Sequence, residues 1–185
     1  QRRRGRLRGL VASLRNRVAI LVEHPRPARW GRHLSARARR LVEQLDLRGV
    51  VLAVTLTTDR RIRSLNRRWR RKNRPTDVLS FPGGPPPPGW PGPVLLGDLV
   101  ISLDTARRQA SEPGRTLAGE LDRYLAHGLL HLLGHDHRSP GEARRMGALE
   151  ERLLGAPGMV QAALGRRPPA RPGRRPLASR RQGFC

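Results

Sequence analysis

Apolar positions along this chain switch repeatedly between the two spacings that mark strands and helices. Val18–Val22 is a short apolar run with β-branched residues and predicts a first strand. Over His33–Leu45, residues Leu34, Ala38, Leu41, Val42 and Leu45 recur at three- and four-residue intervals, on one face of a helix. Gly49 interrupts, and Val50–Leu56 carries the strongest strand signal in the chain. Thr58 or Asp59 can cap a second helix, in which Ile62, Leu65 and Trp69 share a face. Pro75 closes that region, and Val78–Phe81 predicts another short strand. Residues 82–93 are dominated by proline and glycine, lack ladder donors at the prolines, and predict an exposed loop. Leu95–Ser102 resumes as a strand, a helix begins over Asp104–Gln109, and Pro113–Gly114 breaks it. Leu117–Leu133 is the longest helical stretch and stops at Gly134; Glu142–Leu154 predicts the last helix.

Strands and helices alternate early and helices dominate late. The pattern predicts an α+β domain over residues 18–155: a single mixed sheet of about four strands covered by helices. The pattern leaves the strand order open. Residues 1–17 form a basic N-terminal extension, where Leu7, Leu10, Val11 and Leu14, with Val18 just beyond, fall on one helical face. Residues 156–185 form an Arg/Pro/Gly-rich tail with no periodicity, the composition of a disordered segment.

Charge narrows the choice of partners. Lys and Arg number 38 against 14 Asp and Glu, a formal net charge of +24. Residues 1–17 and 166–185 each carry seven Arg and no acid, yet the remainder still holds 24 basic and 14 acidic residues. A basic body with basic tails attracts a polyanion, because each phosphate it neutralises releases counterions. Lys72 is the sole lysine. A G+C-rich coding background explains that preference for Arg over Lys better than it explains the excess of basic over acidic residues. The one cysteine, Cys185, permits no intramolecular disulfide. No apolar run approaches the ~20 residues of a membrane span, so stable membrane association is not expected.

Chemistry concentrates at the end of the longest helix. Four of the six histidines lie between His127 and His137: His127-Gly-Leu-Leu-His131-Leu-Leu-Gly-His135-Asp-His137. His127 and His131, four apart on a helix, project from one face. Gly134 can take the left-handed conformation that reverses the chain and returns His137 to the first two. Three neutral imidazoles meeting at a helix end make a metal site with a position left for water. A metal in such a site lowers the pKa of bound water from 15.7 towards about 7. His135 is less favoured as a ligand, and Asp136 is a candidate to orient an imidazole or to cap the turn.

The spacing H-x-x-x-H-x-x-G-x-x-H is also that of metzincin proteases, which place a glutamate directly after the first histidine as general base. Gly128 occupies that position and cannot take a proton. Glu120 is the substitute to consider, and Met146 fits a core position better than a Met-turn. A non-catalytic RNA-binding assembly factor with a structural metal is a third reading, although structural sites usually close a shell of four ligands.

Several blocks, in order, resemble one family. They are Leu65-Asn66; Trp69-Arg70-Arg71-Lys72; Pro75-Thr76-Asp77-Val78-Leu79-Ser80-Phe81-Pro82; Leu96-Gly97-Asp98-Leu99-Val100-Ile101-Ser102; the histidine segment 127–137; and Met146 with Glu150. Together they resemble the YbeY-type bacterial endoribonucleases, or rRNA maturation RNases, over roughly residues 18–155. The resemblance implies an α+β fold with a metal, usually zinc, on His127, His131 and His137. It also implies single-strand endoribonuclease activity in the cytoplasm. The implied work is ribosomal RNA maturation, including the 3′ end of the small-subunit rRNA, and ribosome quality control, with rRNA and ribosomal particles as partners. The family's functional arginine falls on Arg70, with Arg71 adjacent. A guanidinium there can engage two phosphoryl oxygens as charge develops on them. For Thr76, Asp77 and Ser80 the expected roles are capping and turn formation, and for Trp69 a core position ahead of a base-stacking one. The proline-rich insert and both arginine-rich tails depart from the family pattern.

Overall fold

A computed structural model describes residues 15–25, 29–137 and 139–155. The expected helical face over residues 7–14 and the expected disorder of the C-terminal tail lie outside these residues; Val18, the last member of that face, falls in a strand. The elements are β1 (Arg17–Val22), α1 (Arg29–Gln44), β2 (Val50–Thr57), α2 (Asp59–Arg70), β3 (Val78–Pro82), β4 (Val94–Ser102), α3 (Leu103–Ala110), α4 (Leu117–Leu132) and α5 (Pro140–Gly155). Every expected element is present and most boundaries shift by one to three residues. α1 starts at Arg29, four residues before its apolar periodicity does, and Trp30 packs against the core there.

The strands form one sheet in the order β1-β2-β4-β3. β1, β2 and β4 run parallel, while β3 pairs antiparallel with β4 and forms an edge. The fold is therefore α+β with a single mixed four-stranded sheet. Along β2 the alternation is clean: Val50, Leu52, Val54 and Leu56 are buried, and Val51, Ala53 and Thr55 are partly exposed.

The two faces of the sheet are covered unequally. Leu52, Val54, Leu56, Leu99 and Ile101 pack with residues of α1, α3, α4 and α5 into one large cluster. On the other side, α2 contributes Ile62 and Leu65 to a small cluster with Leu79, Phe81 and Val100. A fully buried aliphatic side chain is worth about 1.5–3 kcal/mol, so the first cluster dominates stability and α2 is held more lightly.

α4 lies at the centre of the larger layer, with nine of its sixteen residues buried. Thr116 caps its start, accepting from the Gly119 amide. α4 crosses the sheet closely because position 128 carries no side chain. A Cβ at Gly128 would stand 2.8 Å from Leu99 Cδ2, 3.2 Å from Val78 Cγ2 and 3.3 Å from Ser80 Oγ. Ser80, buried in β3, donates to the Gly128 carbonyl at 3.2 Å. α5 begins with a reciprocal cap: Ser139 N and Oγ both donate to Glu142 Oε2, and the Glu142 amide returns to Ser139 Oγ.

Candidate metal centre

The last two turns of α4 carry His127 and His131 side by side, with ring centroids 4.6 Å apart. Leu133 ends the helix, its amide directed at the carbonyls of residues 129–131, and Gly134 follows at φ 86°. An L side chain rarely tolerates that angle, so glycine lets the chain reverse without strain. The His135 amide then donates back to Leu130 O at 3.0 Å, and Asp136 Oδ1 accepts from the His137 amide at 2.8 Å. The reversal brings the His137 ring to 5.9 Å from His127 and 5.2 Å from His131. One nitrogen from each ring lies within 4.8 Å of the others.

The rings are held for use. His127 Nδ1 lies 2.5 Å from Glu150 Oε1 on α5. An ionised carboxylate only accepts, so Nδ1 carries the proton and the His127 Nε2 lone pair faces inward. His127 Nε2 stands 3.1 Å from His131 Nε2. His131 titrates low, at about 4: burial disfavours its charged form first, and His127 and His137 add to that. It is therefore neutral at pH 7, as a ligand must be. Zinc–imidazole bonds of 2.0–2.1 Å in tetrahedral geometry separate ligand nitrogens by about 3.3 Å, close to the spacing of the first two histidines. The donor set fits a divalent ion of that kind, with His137 closing in from the turn.

Other residues singled out in the sequence fall outside this cluster. His135 is partly buried, and its burial lowers its pKa; its ring is not among the three that converge. Asp136 caps the turn through the His137 amide. Glu120 sits in the first turn of α4, buried, with Arg123 at 2.7 Å and Arg115 at 3.3 Å. Seven residues of helix separate it from His127, about 10 Å by helical rise, and its charge is already paired. It is therefore no substitute base. Gly128 points at the sheet, so a glutamate in its place would face Leu99 and not the histidines. Met146 is buried in the core. Thr76 donates to Asp77 Oδ1, which also accepts from the Val78 amide, as expected of turn residues.

Trp69 departs from its expected core position. It is 49% exposed, edge-on to Phe81 at 6.0 Å, with the Arg68 guanidinium 5.4 Å from its ring, because α2 ends where the sheet edge does. Arg70 is the last residue of α2, partly buried, and among the described residues forms no ion pair. It approaches from the opposite face of β3 to α4. Both helices nevertheless finish at the same end of that strand. Trp69 contacts Phe81, and a Cβ on Gly97 would meet both the Phe81 carbonyl and Leu132, the neighbour of His131. Arg71 at φ 60° ends α2 in the left-handed region and turns the chain towards Asp77.

A family profile described as Endoribonuclease YbeY matches residues 27–157. The chain belongs to the YbeY family. It is 59% identical over 149 residues to Endoribonuclease YbeY of Myxococcus xanthus (strain DK1622), covering 80% of this chain and 51% of that protein. Over 147 residues it is 53% identical to Endoribonuclease YbeY of Anaeromyxobacter dehalogenans (strain 2CP-C), covering 80% of this chain and 75% of that one. The chain thus spans about half the length of the first relative and three quarters of the second. Of the motifs that carried the resemblance, the histidine segment crosses the end of α4 and Glu150 on α5 meets His127, while Trp69-Arg70 ends α2 outside that cluster. Sequence reasoning matched Glu150 to the YbeY pattern but gave it no role. The signal was its place one residue beyond buried Leu149 on a helix capped by Ser139-x-x-Glu142, but only packing shows that this edge of α5 meets His127.

Proposed function

We propose that this YbeY-family chain is a metal-dependent endoribonuclease that cuts single-stranded RNA during ribosomal RNA maturation. The 3′ end of the small-subunit rRNA is the expected site, and ribosome quality control an associated role in the cytoplasm. Family membership supports the reaction class, and the convergence of three imidazoles with an ordered tautomer carries the metal dependence.

His127, His131 and His137 would hold the ion, zinc being the expected one. When bound, such an ion supplies Lewis acidity and a lowered pKa for water. The chain's own residues do the rest. Glu150 fixes the His127 tautomer, while burial keeps His131 unprotonated. Arg70, at the same end of β3 as the histidines, supplies a fork of donors to the non-bridging oxygens as they gain charge. Gly128, turned to the sheet, and Glu120, remote and paired, leave the protease reading without a base.

The test is cleavage of a labelled single-stranded RNA by purified protein. Activity is expected to vanish on chelation and in a His131→Ala variant purified identically, which controls for contaminating nuclease. Full activity in that variant refutes the proposal. Casein cleavage with the same metal dependence would return the protease. A 2′,3′-cyclic phosphate on the products would identify the ribose hydroxyl as nucleophile.

A further inference from the structure

Helix α2 is covered on one side only, and its other side is unusually charged. Nine of the sixteen residues 59–74 are cationic, and Asp59 is the one acid. Asp59 is turned away: it accepts from Ser102 and Thr105 and pairs with Arg108 at 3.0 Å. Elsewhere many arginines have carboxylate partners, as in Arg37 with Asp122, Arg115 with Glu112 and Glu120, and Arg123 with Glu120. Helix α5 intersperses Glu142, Glu150 and Glu151 with its arginines. On α2, Arg60, Arg63 and Arg67 are exposed, follow helical spacing, and meet no carboxylate among the described residues. They line a shallow groove of about 250 Å³ with Ser64 and Asn73. Across it Arg63 Nε donates to Asn73 Oδ1 at 3.0 Å. Trp69 is not part of the groove: it lies on the side of the helix that meets Phe81, with Arg68 over its ring at 5.4 Å.

We infer that the outer face of α2 is a backbone-binding track for single-stranded RNA, on the far side of edge strand β3 from the histidines. The phosphates are taken by Arg67, Arg63 and Arg60. Arg60 to Arg67 spans about 10 Å by helical rise. Three guanidiniums along that length match a run of phosphodiesters better than a single anion. The groove's lining carries no apolar residue, which argues for nucleic acid over a lipid surface. The inference deepens the RNA reading proposed above and rests on it for the substrate, but not on the metal.

The experiment measures binding and cleavage separately. Fluorescence anisotropy follows labelled single-stranded RNA with metal-free protein, for wild type, R60Q/R63Q/R67Q, and an R32Q/R39Q/R40Q control that removes equal charge from exposed positions on α1. Each lost phosphate contact lowers the salt slope by about 0.7. The α2 variant is therefore expected to lose a slope of about 2, its deficit shrinking roughly 15–20-fold between about 50 and about 200 mM salt. In cleavage, KM should rise for an RNA of about 16 nucleotides and stay unchanged for one of about four, with kcat constant on both. An unchanged slope in the α2 variant overturns the inference, as does an equal loss in the α1 control or a fall in kcat on the short RNA. Failure of wild type to cleave RNA would count against the proposed activity while leaving the binding result readable.

Discussion

Gly128 and Gly147 both lie inside helices, and the same substitution at each should move stability in opposite directions. Replacing a mid-helix glycine with alanine gains about 0.8–1.0 kcal/mol from propensity alone. At Gly147 nothing lies within 4 Å of the added Cβ, so the gain is realised. At Gly128 the Cβ meets Leu99, Val78 and Ser80 at 2.8–3.3 Å, and Leu99 is fully buried, so its displacement must be taken up inside the core. Overpacking of that kind costs about 1–3 kcal/mol, which exceeds the propensity gain over most of its range. The net expectation is a loss of about 1 kcal/mol for Gly128→Ala and a gain of somewhat under 1 kcal/mol for Gly147→Ala. In melting temperature that is a fall and a rise of about 4 °C, read by calorimetry or circular dichroism. Because α4 carries the histidines, Gly128→Ala should also weaken zinc binding as the helix is pushed off the sheet. Equal stabilisation by both substitutions would refute the close approach of α4 to β3 and β4.

Glu150→Ala should lower zinc affinity by roughly 10–100-fold, measured by competition with a chelator, with Glu150→Gln losing less because it can still accept from Nδ1; unchanged affinity in the alanine variant would remove Glu150 from the site. Arg70→Ala should cut the turnover of RNA by on the order of 10²–10³ while leaving zinc affinity alone; a normal rate would assign the role elsewhere. The low pKa of His131, about 4 against an ordinary 6.5, makes the unfolded chain bind the extra proton first as pH falls. Its contribution to the stability of the metal-free protein is thus full above about pH 6.5 and declines down to about pH 4. Urea midpoints across that window should fall more steeply for wild type than for His131→Ala; parallel curves would contradict the buried, neutral ring.

Local signals made the elements legible. Periodicity placed α1, β2 and α4, and Thr58 and Gly134 marked the start of α2 and the end of α4 because caps are written within three residues of where they act. Strand order was not legible: parallel pairing of β1, β2 and β4 depends on crossovers whose direction no short window contains. The histidines were readable because two lie one turn apart and the third one glycine reversal away. Glu150 was not, since its contact with His127 joins positions 23 residues apart through the packing of α5 on α4. Trp69 was misplaced for a related reason. Helical spacing puts it in line with Ile62 and Leu65, but the sheet ends before it does. Gly128 looked like a missing base and is a packing requirement, a distinction visible only in what its Cβ would strike.

The proposed chemistry requires one divalent ion on three imidazoles, with a position open to solvent. Zinc-edge X-ray absorption on protein loaded with one equivalent of zinc tests it most directly. The expected spectrum shows three imidazole nitrogens at about 2.0–2.1 Å and one further light scatterer, with one imidazole lost in His137→Ala. A first shell with fewer than three imidazoles, or one unchanged by that substitution, would contradict the account.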